Sequence, residues 1–188
     1  DMAVAEMVCT LGKFFRSNIR ISENDIPISM EMENARLFVE LSKYRFGEKL
    51  KYTENCEDRL QSRLILRLLL QPLIENSIKH ALEETGDPLT ISVDIEGDEQ
   101  LTRIAVSDDG KGMDEKMLEY LYSLWSESGK EYHKETRSIG LYNVFRRLRL
   151  TYFENAELDI WSREGEGTRF TITIWNNRDN SEKISNGE

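Results

Sequence analysis

The chain has few of the residues and segments that define several common protein classes. It contains two cysteines, Cys9 and Cys56, and two histidines, His80 and His133, among 188 residues. Neither pair has the spacing of a zinc site, so no such centre is expected and the cysteines are expected to be reduced. Apolar runs are short, whereas a membrane-spanning helix needs about 20 apolar residues. We therefore expect any membrane anchor to lie outside this chain.

Basic residues are outnumbered by acidic ones. The 25 Lys and Arg against 35 Asp and Glu give a formal net charge of −10. Such a surface repels DNA, RNA and anionic lipid, so no nucleic-acid partner is expected. A polyanionic small ligand would need a cation to accompany it. The length predicts one compact domain with at most a short appendage.

Two helical patterns open the chain. Apolar residues recur at spacings of three and four between residues 1 and 20, and again from about 29 to 46. A break at Ser22 to Pro27 separates the two patterns. The first has no cap at its start, so it can be the end of a longer helix. Both are expected to connect to an N-terminal region outside this chain.

Three further helices are predicted. One starts near Gln71, with Pro72 in its first turn, where a missing N–H is tolerated. A second is capped by Asp114, and a third covers about 141–148. The polar segment 126–138 between them is expected to be a mobile loop.

Strands are predicted as two antiparallel pairs. Alternation of apolar and polar residues indicates a hairpin of strands 89–95 and 101–106, and a second pair at 157–163 and 168–175. Consecutive antiparallel pairs with helices to cover one face favour an α+β fold. We expect a two-layer α/β sandwich with an N-terminal helical segment.

The helix that follows Gln71 carries the first of four motifs with functional potential. Asn76, Lys79 and His80 are three and four positions apart, so they share a face of a regular helix. The amide oxygen of Asn76 is a hard, neutral ligand suited to Mg²⁺, and Lys79 supplies a mobile positive charge for phosphate oxygens. A solvated polar face is the alternative for this motif alone.

The second motif follows a predicted strand and contains Asp108, Gly110 and Gly112. A carboxylate at a strand end can accept a hydrogen bond from the exocyclic amine of a purine. The two glycines would let the backbone pass close to a flat ring. Taken alone, the segment can equally be an ordinary turn.

Two glycine-containing junctions complete the set. Gly140 and Leu141 lie at the start of a helix, where unpaired N–H groups and the helix dipole attract phosphate. Gly167 and Thr168 lie between two predicted strands. In isolation, the first junction is a plain entry into a helix and the second is a hairpin turn.

Together and in this order, the four motifs resemble the ATP-binding catalytic domain of sensor histidine kinases, within the GHKL superfamily with the Bergerat fold. Residues 70–80, Leu-Gln-Pro-Leu-Ile-Glu-Asn-Ser-Ile-Lys-His, are similar to a signature of the LytS and YesM-like subgroup, as is the stretch 140–148. The resemblance implies an ATP-binding domain over 51–176, partial dimerisation and linker helices over 1–50, and a polar tail at 177–188.

The resemblance also implies a role for each matched residue. Asn76 would ligate Mg²⁺, Lys79 and His80 would face the phosphates of ATP as catalytic residues, and Asp108 would bind adenine. An exposed or supporting histidine is the alternative for His80. The other nucleotide-binding positions lie beside the adenine or at the end of the lid over ATP: Gly110, Gly112, Gly140, Leu141, Gly167 and Thr168.

The chain departs from the wider superfamily in ways that bear on the reaction. Gyrase-like members activate water with a glutamate four residues before the asparagine, and this chain has Pro72 there. Hydrolysis by that route is therefore not expected. Residues 1–70 contain no histidine, so the phosphoacceptor is expected upstream of this fragment, and His80 and His133 are poor candidates. In the loop 126–138, Lys130, Lys134 and Arg137 could reach the phosphates on closure, and an ordinary solvated loop is the alternative.

For the whole protein, the resemblance implies a two-component kinase. It would transfer the γ-phosphate of ATP to an upstream histidine, and then to an aspartate of a response regulator. The full-length protein would be a homodimer, and this chain would be the cytoplasmic domain of a membrane sensor. One alternative is a GHKL module that senses ATP or binds a partner without phosphotransfer. Another is an ATPase of the same fold.

Overall fold

The computed structural model describes residues 2–19, 24–127 and 139–176. The helices are α1 (Met2–Ile19), α2 (Ile28–Phe46), α3 (Leu70–Ser77), α4 (Glu115–Glu127) and α5 (Ile139–Tyr152). A π-helical turn, Ile78–Glu83, continues α3. The strands are β1 (Asp25–Pro27), β2 (Leu50–Cys56), β3 (Leu64–Leu66), β4 (Leu89–Gly97), β5 (Leu101–Asp108), β6 (Ala156–Arg163) and β7 (Gly167–Trp175). The predictions made for residues 128–138 and for the polar tail lie outside the described residues.

Five strands form a mixed sheet in the order β2-β4-β5-β7-β6. The strand β2 is parallel to β4, and the other neighbours are antiparallel. Both predicted strand pairs, β4 with β5 and β6 with β7, are therefore confirmed. Neither β2 nor the small antiparallel sheet of β1 and β3 was predicted.

The helices cover one face of the sheet. Ile91, Val93 and Ile95 of β4 are at most 1% exposed, whereas the residues between them are partly exposed. Apolar residues of α2, α3, α4 and α5 join the same hydrophobic core. On the opposite face Trp161 of β6 is 49% exposed. The structure thus has the predicted two-layer α/β architecture.

Local signals fix the starts of two helices as predicted. The helix α3 begins at Leu70, so Pro72 lies in its first turn. The Oδ1 atom of Asp114 accepts a hydrogen bond from the N–H of Met117 at 2.8 Å. That bond caps α4.

Glu31 of α2 fixes the entry into α3, which the sequence did not predict. Its side chain is 1% exposed. Its carboxylate accepts hydrogen bonds from the N–H groups of Leu68 (2.9 Å), Leu69 (2.7 Å) and Leu70 (2.9 Å). A helix start leaves such N–H groups without intrahelical partners. Leu68 also has a φ of 55°, so the carboxylate stabilises a sharp turn that is unfavourable for a bulky residue.

Arg147 of α5, which is half-buried, lies close to these hydrogen bonds. Its Nη2 atom donates a hydrogen bond to the carbonyl oxygen of Arg67 at 2.7 Å. Burial raises the pKa of Glu31, and the three backbone hydrogen bonds and the charge of Arg147 oppose that rise. Hydrogen bonds therefore connect both α2 and α5 to residues 67–70, where the chain enters α3.

The helix α1 packs on α2 along only part of its apolar stripe. The ring of Phe14 contacts that of Phe38 in α2, with 6.3 Å between centroids. Several apolar side chains of α1 remain exposed: Met2, Val4, Met7, Val8, Leu11 and Phe15. Across the described part of the chain, no helix is both long and apolar enough to cross a bilayer.

Candidate functional site

A cavity of about 340 Å³ opens where the helical layer meets the end of the sheet at which β5 ends. The end of α3 and the π-helical turn form one wall. The loop after β5, α4, the start of α5 and the turn between β6 and β7 supply the others. The lining residues are Asn76, Ser77, His80, Ala81, Asp108, Lys111, Gly112, Met113, Asp114, Met117, Leu121, Leu141, Glu164 and Thr168. Apolar walls with a few convergent polar groups are typical of a small-molecule site.

Asn76 brings a neutral oxygen ligand to this cavity. The side chain is partly buried and, among the described residues, its amide has no hydrogen-bond partner. Mg²⁺ usually keeps several waters and takes one or two protein oxygens together with substrate phosphates, so a single amide fits such a centre. Within residues 2–19, 24–127 and 139–176, no three His, Cys, Asp or Glu side chains form a metal-binding cluster.

Asp108, the last residue of β5, provides a carboxylate on the helix-facing side of the sheet. The pairing of β5 with β7 places it opposite Thr168. Its Oδ2 atom accepts a hydrogen bond from Ser77 Oγ at 2.6 Å, and its Oδ1 atom accepts one from the N–H of Gly110 at 3.0 Å. Burial raises the pKa of Asp108, and these hydrogen bonds oppose the rise.

Ser162 ties the loop after β5 to the turn between β6 and β7. Its hydroxyl accepts a hydrogen bond from the N–H of Met113 at 2.9 Å and donates to the carbonyl oxygen of Gly167 at 2.9 Å. The same hydroxyl lies 2.9 Å from Thr168 Oγ1. Ser162 therefore connects the wall that carries Thr168 to the loop after β5 by hydrogen bonds.

Glu84 organises two basic groups at the rim of the cavity. Its Oε1 atom lies 2.7 Å from Nδ1 of His80, and its Oε2 atom accepts a hydrogen bond from Nζ of Lys111 at 2.5 Å. The hydrogen bond from Lys111 lowers the pKa of Glu84. His80 and Lys111 both line the cavity. Glu84 offsets the positive charge of Lys111, so this rim offers an anionic group mainly hydrogen-bond donors.

A profile of the family described as Histidine kinase-, DNA gyrase B-, and HSP90-like ATPase matches residues 61–178. A profile of the family described as Histidine kinase matches residues 1–50. The first match covers more than half of the chain. The chain belongs to the histidine kinase, DNA gyrase B and HSP90-like ATPase family.

Curated relatives of this ATPase-family chain are bacterial sensor proteins. Sensor histidine kinase YesM of Bacillus subtilis is 35% identical over 171 residues, which cover 91% of this chain and 27% of YesM. Sensor protein LytS of the same species is 28% identical over 172 residues, covering 90% of this chain and 28% of LytS. Sensor histidine kinase/phosphatase LytS of Staphylococcus aureus is 30% identical over 155 residues, which cover 80% of this chain and 26% of that LytS. The chain thus spans little more than a quarter of these relatives.

Solved structures share the fold. The histidine kinase domain of a blue-light activated histidine kinase from Erythrobacter litoralis gives a TM-score of 0.55 at 16% identity, covering 93% of this chain and 79% of that one. The nucleotide-free catalytic domain of histidine kinase ThkA gives a TM-score of 0.57 at 14% identity, covering 82% of this chain and 97% of that one. At these identities the likeness concerns the fold alone, and it agrees with the α+β fold predicted from the sequence.

The cavity of this ATPase-family domain gathers most of the residues singled out in the sequence. Six of them line it: Asn76, His80, Asp108, Gly112, Leu141 and Thr168. Gly110 and Gly167 are not part of the lining, but each packs directly against Asp108. Lys79 and Gly140 are exposed and lie outside the lining. The sequence did not point to Ser77, Lys111 or Glu84, although Glu84 has the four-residue spacing of a helical pair with His80.

The π-helical turn explains why Lys79 is separated from the cavity. The sequence prediction placed Asn76, Lys79 and His80 on one face of a regular helix, but the helix widens from Ile78 onward. A π-turn closes through i→i+5 hydrogen bonds and holds more residues per turn. Lys79, the third residue after Asn76, therefore lies further from the helix face that carries Asn76. His80, the fourth residue, stays close to that face.

Packing within the protein accounts for the glycines that follow Asp108. A Cβ atom at Gly112, where φ is 68°, would lie 1.9 Å from the carbonyl oxygen of Arg163. One at Gly110 would lie 2.4 Å from Cβ of Ala81. The sequence had instead suggested that these glycines give a flat ring close access to the backbone. The contacts observed require glycine without any ligand.

We expect Gly112→Ala to lower the free energy of unfolding by about 2 kcal/mol or more, because it adds a backbone clash to an unfavourable φ. Gly165→Ala is the matched control, since Gly165 has a φ of 78° but a Cβ there would meet nothing within 4 Å. Gly165→Ala should lower the free energy of unfolding by about 1 kcal/mol, because of the positive φ alone. Urea denaturation of both variants measures the difference, and equal losses would exclude a role for the contact with Arg163.

Proposed function

We propose that this chain is the ATP-binding catalytic domain of a sensor histidine kinase. One observation carries the proposal: Asn76 and Asp108 line the same cavity. A neutral metal ligand and a partly buried hydrogen-bond acceptor in one cavity suit the two ends of a nucleotide bound with a divalent cation. Membership of the ATPase family supports ATP as that nucleotide.

Asp108 would recognise the purine. Its carboxylate accepts hydrogen bonds from the protein and has capacity for a further donor, which the exocyclic amine of adenine supplies. Thr168 lies opposite it in the sheet, and Gly110 and Gly167 hold the backbone against it. The apolar side chains of Met117, Leu121 and Leu141 would contact the ring.

The phosphates would lie towards Asn76 and the basic rim. Mg²⁺ held by Asn76 would neutralise part of the triphosphate charge, which lets a chain with a net charge of −10 bind ATP. His80 and Lys111, fixed by Glu84, would contact phosphate oxygens. We also assign Lys79 and Gly140 to the phosphate-binding end of the cavity, because they are adjacent in sequence to the lining residues His80 and Leu141.

The proposed reaction is phosphoryl transfer from ATP to a histidine nitrogen of the whole protein, outside this chain. The bond between the β,γ-bridging oxygen and the γ-phosphorus breaks, a P–N bond forms, and ADP leaves. Such transfers depend mainly on positioning and charge neutralisation, which the cavity and its rim would provide. A response-regulator aspartate would then accept the phosphoryl group.

The other parts of the chain have proposed roles in the whole protein. Residues 1–50 would contribute to the dimerisation and linker region of a homodimer, and the match of this segment to a histidine kinase profile supports that role. Residues 51–176 would form the nucleotide-binding domain and 177–188 a polar tail. The relatives are sensor proteins, which supports a position on the cytoplasmic side of a membrane sensor.

ATP labelled at the γ-phosphate tests this function. The whole protein should acquire acid-labile, base-stable label on a histidine, whereas its Asp108→Asn variant should lose most of the labelling. Asp94→Asn, on the outer face of β4, is the matched control and should label normally. The isolated chain should bind ATP without becoming labelled. Release of inorganic phosphate by the whole protein with no labelled histidine would contradict the kinase assignment.

A further inference from the structure

We infer that Ser77 is a positioning residue for purine recognition. Its hydroxyl holds the Asp108 carboxylate in the orientation that accepts a 6-amino group, and it thereby sets the preference of the cavity for adenine over 6-oxo purines. The inference rests on the proposed binding of ATP in this cavity.

The hydroxyl of Ser77 is committed to Asp108. The side chain is 3% exposed and lines the cavity. Its Oγ atom lies 2.6 Å from Asp108 Oδ2 and 3.4 Å from the carbonyl oxygen of Leu73. A hydroxyl has one proton to donate, and the shorter contact receives it.

Two protein groups donate hydrogen bonds to the carboxylate of Asp108. The N–H of Gly110 donates to Oδ1, and the hydroxyl of Ser77 donates to Oδ2. A carboxylate has about four acceptor positions, so capacity for a further donor remains. Gly110 belongs to the loop after β5. Ser77 is the side chain that restrains the carboxylate from the helical layer.

This restraint matters because adenine and 6-oxo purines differ at the atom that would face Asp108. Adenine presents an amine, which donates, whereas hypoxanthine and guanine present a carbonyl oxygen, which only accepts. A carboxylate held in place attracts the amine and repels the carbonyl oxygen. Without Ser77, Oδ2 loses its donor and the carboxylate can turn, so both effects weaken.

Calorimetric titration with ATP and with inosine triphosphate tests the inference. Ser77→Ala should weaken ATP binding roughly fivefold to tenfold, whereas inosine triphosphate should bind slightly more tightly because the repulsion of its 6-oxo group is relieved, so the preference for ATP falls. Alanine favours helix, so the variant should fold. Thr102→Val is the matched control: Thr102 is 1% exposed, near the far end of β5, and accepts a hydrogen bond from Arg63. That control should keep the wild-type preference.

The same titrations in an Asp108→Asn background separate positioning from direct contact. If Ser77 acts through Asp108, adding Ser77→Ala to that variant should cause no further loss of ATP affinity. An equal loss in both backgrounds, or an unchanged preference in Ser77→Ala, would overturn the role of Ser77 and leave the proposed function intact. A wild-type chain that binds no ATP would instead overturn the proposed function.

Discussion

Glu31→Ala should lower the free energy of unfolding by about 3–5 kcal/mol, because each buried N–H group left without an acceptor costs about 1–3 kcal/mol. The substitution takes away the acceptor of three backbone N–H groups at the start of α3. It also removes the carboxylate whose charge favours the partly buried guanidinium of Arg147. Each orphaned group then carries a desolvation penalty.

Urea denaturation followed by circular dichroism measures this loss. Glu33→Ala is the matched control, because Glu33 lies two residues further along α2 and is exposed. Glu33→Ala should change the free energy of unfolding by no more than about 0.5 kcal/mol. The loss of unfolding free energy for Glu31→Gln should lie between those for Glu31→Ala and Glu33→Ala, since the amide keeps one acceptor oxygen but brings a donor towards the N–H groups. A loss for Glu31→Ala as small as that for Glu33→Ala would contradict the assigned network.

The sheet and helices with strong periodicity could be predicted from the sequence. Ile91, Val93 and Ile95 alternate with polar residues because one face of β4 is buried, and that pattern is local. The parallel edge strand β2 could not be predicted in this way. Its partly buried face includes Glu54, and its pairing with β4 is a long-range contact.

Glu31 shows why a buried charge is hard to predict. An acidic residue in a polar helix normally faces solvent, and its contacts with residues 68–70 arise only in the tertiary structure. One local signal was present: Glu31 lies between Ile28 and Met32, on the stripe of α2 that enters the core. An acid within an apolar stripe indicates either an interrupted helix face or a buried, hydrogen-bonded carboxylate.

The candidate site could be predicted in part. The order of the motifs indicated that Asn76 and Asp108 belong to one site, and the structure places both on one cavity. The separation of Lys79 could not be predicted, because a π-helical turn leaves no mark in the apolar periodicity. The bond from Ser77 to Asp108 joins residues 31 positions apart, which no local pattern indicates.

Asn76→Ala should weaken the binding of ATP in the presence of magnesium roughly a hundredfold, or about 3 kcal/mol. The substitution removes the amide oxygen that would ligate the cation, and the other described residues offer no acidic cluster to replace it. The triphosphate would then enter an acidic protein without a fixed counter-charge. Asn55→Ala, at an exposed position of β2 outside the cavity, is the matched control and should bind as the wild type does.

Calorimetric titration of the chain with ATP, in magnesium and again in excess chelator, tests most directly whether the cavity binds a metal nucleotide. The wild type should bind much more tightly than Asn76→Ala in magnesium, and the two should bind equally weakly in chelator, because the amide acts through the cation. Equal affinities in magnesium, or a difference that persists without it, would contradict the assignment of Asn76 as the metal ligand of a nucleotide site.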